Sequence, residues 1–304
     1  MKITPLRTGT LLLVMIFAAS IALGQRPRPT PRPPAKAKSI IFNVTNDGKS
    51  LEPIAYVERG KLVEATYNPD ANKSFVSTYY KTNTPYTLVF GGANDGKATV
   101  TKSNIASDCA KNMAHVKTQT TRAKLKGIVT ALATNMKVAA GPGTRRPPTA
   151  AERTEIEKLV KAEFTKQKVS AASQKDLRYH NLTALDVNKD GKAELVGSYW
   201  LAPNDKERHL LFFIAEKNSA GKYVFGHSEY SHVTPDKVMT GDVKDTDQGV
   251  YHELLIDVLD YDNDGTSEIF TVIQAFEGNN FHAFRKQGGK WVKSFEAYNY
   301  RCAF

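Results

Sequence analysis

Two nine-residue segments of this chain put oxygen-bearing side chains at matching positions. Residues 186–194 read Asp-Val-Asn-Lys-Asp-Gly-Lys-Ala-Glu, and residues 260–268 read Asp-Tyr-Asp-Asn-Asp-Gly-Thr-Ser-Glu. Both fit D-x-[DN]-x-D-G-x-x-E, with ligand-type side chains at positions 1, 3, 5 and 9 and glycine at 6. Alternate residues at 1, 3 and 5 can turn their oxygens inward around one ion, and the glycine accepts the positive φ that bends the loop back. Clustered oxygens suit a hard divalent cation, calcium above all, whereas zinc and copper prefer nitrogen and sulfur. The candidate ligands of the first loop are Asp186, Asn188, Asp190, the Lys192 carbonyl and Glu194. Those of the second are Asp260, Asp262, Asp264, the Thr266 carbonyl and Glu268. The second loop offers four carboxylates, the first only three, with Lys189 and Lys192 alongside. Ligand charge tightens calcium binding, so two calcium ions are expected, the one at 260–268 held more tightly. The default role of such an ion is structural, because it stabilises the folded loop by linkage.

The flanks of both loops read as strands. From residue 176 the chain runs strand, acidic loop, strand, strand, turn, strand, and then repeats that order. The first aspartates lie 74 residues apart, a spacing that suggests an internal duplication. An EF-hand would carry a bidentate Glu at position 12, where this chain has Gly197 and Thr271, and would be flanked by helices. The pattern instead resembles the calcium loops of FG-GAP and VCBS-like repeats, D-x-[DN]-x-D-G-x-x-[DE]-[LI], which join two strands of a β-propeller blade. Asp186, Asn188, Asp190, Glu194 and Leu195 match it in one unit, and Asp260, Asp262, Asp264, Glu268 and Ile269 in the other. The resemblance covers residues 176–300 and implies blade-like antiparallel β repeats with an adhesion-type role. Two units are fewer than a closed propeller uses, so an open sheet or a sandwich would serve the same loops.

The rest of the chain is expected to position these repeats. Residues 149–304 are read as a domain that opens with one helix. Thr149 is its N-cap after Pro147 and Pro148, and Ile156, Leu159, Val160 and Phe164 form one apolar stripe. Residues 139–148, rich in Gly and Pro, mark a boundary, with a linker at 141–148. Residues 40–140 are read as a β-rich domain with strands at 53–57, 62–67, 86–90, 98–102, 113–118 and 125–132, and with turns at 58–61 and 91–96. Asn43 to Gly48 has too few carboxylates for a cation site and is read as a turn. The fold class is therefore mainly β.

The first 24 residues read as a secretory signal peptide. Lys2 and Arg7 precede an apolar run of 13 residues, and Ala22-Leu23-Gly24 offers a cleavage site before Gln25. That run is too short for a membrane span, and no later stretch is long and apolar enough, so the mature chain is expected to be secreted or periplasmic, without a transmembrane segment. Residues 25–39 form a Pro- and Arg-rich linker. The formal net charge of +11 is unevenly spread. Residues 40–148 hold 15 Lys and Arg against 7 Asp and Glu, and residues 149–304 hold 20 against 24. Export and the lack of a nucleic-acid-binding motif argue against a nucleic acid partner. Cys109 and Cys302 are the two cysteines, and an oxidising compartment favours their pairing.

Catalytic signatures are weak. His252-Glu253 resembles the start of a zinc-protease motif, but Ile256 stands where its second histidine would fall. No G-x-S-x-G elbow or phosphate-binding glycine loop is present. The sequence therefore favours a non-catalytic exported protein that binds an unidentified protein or glycan. The alternative is a secreted hydrolase of envelope or extracellular polymers with structural calcium loops.

Overall fold

The structure, a computed structural model, describes residues 37–65 and 69–302. The expected signal peptide and residues 25–36 of the expected linker lie outside the described residues. The fold is mainly β, with two α-helices and short 3-10 turns. Six strands close into an antiparallel barrel: β1 (Ser39–Thr45), β2 (Ser50–Glu58), β4 (Pro85–Phe90), β5 (Ala93–Ser103), β6 (Ala114–Thr120) and β7 (Ala131–Thr134). Their order is β1, β7, β4, β5, β6, β2, and β2 pairs back onto β1; β3 (Lys61–Glu64) extends beyond β2. Closure removes the exposed strand edges that invite association. Ile40, Phe42 and Val44 point into the barrel with Leu88 and Val100, while Ile41 on the alternate face packs outward. Both faces of β1 are buried, so its sequence lacks the apolar–polar alternation that would have flagged it.

Three expectations for this region need correction. Helix α1 (Pro69–Tyr79) was not foreseen; it delivers Phe75 and Tyr79 into the barrel core, where the Tyr86 hydroxyl donates to the Tyr79 carbonyl at 2.5 Å. The strand expected over 125–132 forms only at its end, in β7. Residues 125–130 are a loop in which Gly127, at φ +59°, donates its N–H to Asp47 at 2.8 Å, and that left-handed backbone cannot continue a strand. The second hairpin turns at Gly91-Gly92, both at positive φ, and Ala93 already belongs to β5. Such a two-residue turn matches the twist of its flanking strands.

Two four-stranded antiparallel meanders follow. The first comprises β8 (Arg178–Leu185), β9 (Glu194–Asn204), β10 (Glu207–Lys217) and β11 (Tyr223–Val233). The second comprises β12 (Glu253–Leu259), β13 (Glu268–Gln274), β14 (Gly278–Gln287) and β15 (Lys290–Tyr300). Ahead of them runs α2 (Ala150–Lys166). Thr149 caps it: its hydroxyl accepts from Glu152 N at 3.2 Å, and the Glu152 carboxylate accepts from Thr149 N at 2.7 Å. Ile156, Val160 and Phe164 of α2 pack on Tyr199, Leu211 and Phe213 of the first meander. The opposite face of that sheet, through Val196, Phe212 and Ile214, meets Leu255, Ile269 and Phe284 of the second. The far face of the second, through Ile256, Phe270 and Phe281, packs on Ile41, Val89 and Leu132 of the barrel. The layers are thus helix, sheet, sheet and barrel. Two sheets held between a helix and a barrel do not form a ring of blades.

Polar ties lock the last interface. The buried Asp257 of β12 accepts from the N–H groups of Gly91 and Gly92 at 2.7 and 3.2 Å and from Arg145 Nη1 at 2.8 Å. Arg145 also donates to the Ile256 and Thr130 carbonyls. A disulfide between Cys109 and Cys302, Cα atoms 5.4 Å apart, closes 193 residues and joins the β5–β6 connection to the end of the second meander. In the chain-entropy view so long a closed loop contributes about 5 kcal/mol.

Candidate metal centres

The two acidic loops occupy equivalent places, each joining the first and second strands of its meander. Their internal bonding is also the same. The Asp186 carboxylate accepts from the N–H groups of Asp190 and Gly191 at 3.1 and 2.9 Å; Asp260 accepts from Asp264 and Gly265, both at 3.1 Å. Position 3 accepts from position 5 at 3.2 Å in both loops, through Asn188 and Asp262. Position 5 accepts from position 7, Asp190 from Lys192 at 2.8 Å and Asp264 from Thr266 at 2.9 Å. Gly191 and Gly265 take φ +81° and +93°, where a side chain would add strain. The Lys192 and Thr266 positions lie on the exposed and half-exposed outer turns, and Glu194 and Glu268 are buried at the start of β9 and β13.

At the second loop the carboxylate oxygens of Asp260, Asp262 and Asp264 lie within 4.8 Å of one another. Glu268, which does not join that group, is only 2 % exposed, and its Oε2 has no hydrogen-bond partner. Burial, then the charge of Asp262, pushes its carboxyl up to about 8. At the first loop Glu194 is 5 % exposed, accepts from Val187 N at 3.2 Å, and is pushed up to about 7, again mainly by burial. A buried carboxylate is expensive to ionise without a compensating charge, and a cation is one such compensation. The three aspartates of the second loop could therefore hold a metal ion, whereas the carboxylates of Asp186, Asp190 and Glu194 are not gathered in the same way at the first.

The surroundings differ. Arg285 of β14 reaches into the second loop, with Nη2 3.1 Å from Asp262, 3.3 Å from Asp264, and Nε 4.0 Å from Glu268. Lys286, the next residue, points to Glu216 of the first meander at 2.5 Å. The loops also touch: Ser267 N donates to the Val187 carbonyl at 2.8 Å, and Asp186 N donates to Thr144 Oγ1 at 3.1 Å. Thr144 N in turn donates to the Gly91 carbonyl of the barrel at 2.9 Å. Both loops thus lie at the seam where the two meanders and the barrel meet.

Sequence reasoning missed a second group of metal-competent side chains. Glu207 and His209 of β10 and His232 of β11 also bring ligand atoms within 4.8 Å of one another. The signal was the Glu-x-His spacing, because residues two apart on a strand share a face. The partner His232 lies 23 residues beyond His209 and is placed only by the β10–β11 register.

Among the described residues no comparable arrangement supports a nucleophile. Ser198 Oγ lies 3.3 Å from His252 Nδ1, both buried. Burial, then the neighbouring His180, holds the His252 imidazole down to about 3, too weak a base to activate a hydroxyl near neutrality. The buried Glu253 is committed elsewhere, to Thr271 Oγ1 at 2.6 Å and His282 Nδ1 at 2.8 Å. Among the described residues no helix is long and apolar enough to cross a membrane. No protein-family model, curated protein or solved structure matches the chain.

Proposed function

We propose that the chain is an exported, non-catalytic calcium-binding protein, a blade-type binding module whose ions consolidate the seam between its two meanders and its barrel. The observation that carries this reading is the convergence of the Asp260, Asp262 and Asp264 carboxylates, and in the same loop the buried Glu268 Oε2 has no hydrogen-bond partner. An all-oxygen set of this charge favours calcium over zinc or copper. The ion is structural. Asp260, Asp262 and Asp264 hold it, Glu268 is the fourth carboxylate of the loop, and the bond from Ser267 N to the Val187 carbonyl ties that loop to the first. The ligand of the module is a protein or glycan outside the cytoplasm. Export rests on the leader-like first 24 residues, and the Cys109–Cys302 disulfide is compatible with an oxidising compartment.

Calcium titration of the full chain, followed by calorimetry and thermal unfolding, tests the proposal. The expected result is saturable heat and a rise in Tm that a chelator reverses and that magnesium reproduces poorly. An unchanged Tm at millimolar calcium, with no heat, would overturn it.

A further inference from the structure

The first meander carries a polar cluster far from oxygen-only chemistry. In the β10–β11 ladder His209 is the direct cross-strand partner of His232, and Glu207 sits two residues before His209 on the same strand. Glu207 Oε2 is 2.8 Å from His232 Nε2 and 3.9 Å from His209 Nε2. Those separations bracket the roughly 3.3 Å between ligands of a tetrahedral zinc ion with bonds near 2.0–2.1 Å. The two imidazoles lie nearly parallel, 4.6 Å apart, and each of the three side chains offers a ligand atom within 4.8 Å of the others.

The flanking groups hold the set in this orientation. His209 Nδ1 lies 2.6 Å from the Tyr230 hydroxyl. When Nδ1–H donates to Tyr230 Oη, the lone pair remains on Nε2, the atom that faces Glu207. Asn204 Nδ2 donates to the other oxygen of Glu207 at 2.6 Å. Metal-ligating histidines and carboxylates are commonly steered by such outer contacts. The His209 side chain is 11 % exposed and that of His232 39 %, so the cluster is sheltered on one side and open on the other.

We propose that Glu207, His209 and His232 form a second cation site, specific for a borderline transition metal such as zinc and distinct from the calcium loops. Two nitrogens and one carboxylate oxygen match zinc, cobalt or nickel and are a poor match for calcium. Three protein ligands leave at least one position for water or for a group from a bound partner, as in zinc sites that are not purely structural. The site does not depend on the calcium reading, because it shares no residue with either loop.

Tag-free, metal-stripped full-length protein, held in saturating calcium, would be titrated with zinc and with cobalt. The expected result is one zinc equivalent that calcium does not displace, and a cobalt adduct with the visible absorption of a low-coordinate site. His232→Ala, at the more exposed ligand, should weaken zinc binding at least about tenfold while leaving the calcium response and the far-ultraviolet circular dichroism unchanged. Tyr230→Phe should weaken it less while keeping the cobalt spectrum in form, as expected of a positioning residue. Glu207→Gln, which removes charge but little volume, serves as the second ligand variant. Absence of zinc binding by the wild type would overturn the proposal. So would zinc affinity unchanged in both His232→Ala and Glu207→Gln, which would place the ion elsewhere.

Discussion

The loops at 186–194 and 260–268 share a backbone and differ in what surrounds it. Each has the same Asx-type hydrogen bonds, the same glycine at positive φ and the same buried Glu at position 9. The first has Asn188 at position 3 and lysines on its outer turn. The second has Asp262 there and receives Arg285 from β14. The local geometry is therefore a property of the nine-residue motif, whereas the electrostatic balance comes from a strand 17 or more residues away. Arg285 acts as an internal counter-ion. It pairs with Asp262 and Asp264, and under the proposed function it would yield some of that contact to the ion. The first loop has no such arginine and, correspondingly, one carboxylate fewer.

The most decisive way to break the comparison is to disable each loop in turn. Asp260→Asn and Asp186→Asn each remove a ligand charge and leave one oxygen where the carboxylate offers two to the loop N–H groups, so the readout is the calcium-induced rise and not the calcium-free Tm. Calcium at about 100 times its Kd adds about 2.7 kcal/mol, or roughly 5 °C in Tm for a chain of this size. Asp260→Asn should remove most of that rise and Asp186→Asn the smaller part; equal losses would refute the ranking of the sites.

A second test uses opposite signs. Glu268→Gln removes the cost of taking up a proton at this buried carboxyl on folding, so the calcium-free protein should gain about 1–3 kcal/mol at neutral pH while its calcium affinity drops. Chemical denaturation with and without calcium reads both effects; a loss of stability in the calcium-free form would show that Glu268 is already satisfied.

The pH dependence follows from the same carboxyls. Their folded-state values, about 7 for Glu194 and about 8 for Glu268, lie above the ordinary 4.5. Folding therefore takes up protons, and this contribution is fully present below about 4.5 and lost as pH rises through about 7 and 8. Calcium-free protein should lose stability over that window. Saturating calcium should flatten or reverse the slope, and binding should release protons near pH 7, measurable as a buffer-dependent heat. An identical slope with and without calcium would uncouple these glutamates from the ion.

Smaller effects sharpen the contrast at single positions. Arg285→Met should tighten calcium at the second loop about threefold by removing the competing cation, at a cost below about 1 kcal/mol to the calcium-free fold, because the pair is partly exposed. Asn188→Asp should tighten the first loop about two- to fivefold by restoring the fourth carboxylate. No change in either titration would mean that ligand charge does not set the difference.

How much of this was legible depends on the range of the interactions. The strands of the two meanders showed as apolar runs bounded by turns, and Thr149 with Glu152 marked the start of α2, because each signal lies within a few residues. Strand β1 and helix α1 did not show. β1 is buried on both faces and so lacks alternation. In α1 Phe75 and Tyr79 follow no long apolar stripe and become core residues only because the barrel has an end to fill. The run at 125–130 carries β-type residues, but Gly127 and its bond to Asp47 turn it into a loop.

The sequence by itself determined the oxygen spacing of both acidic loops, the glycine that lets each close, and the unequal ligand charge. It also supplied two cysteines with no other partner. Those are local or compositional facts, which survive in the unfolded chain. Only the tertiary structure decided that the barrel closes, that Cys109 meets Cys302, that Arg285 enters one loop and not the other, and that His209 and His232 stand side by side. Each of these pairs residues distant in the chain, and strand register and layer packing, which are set by burial across the whole fold, bring them together.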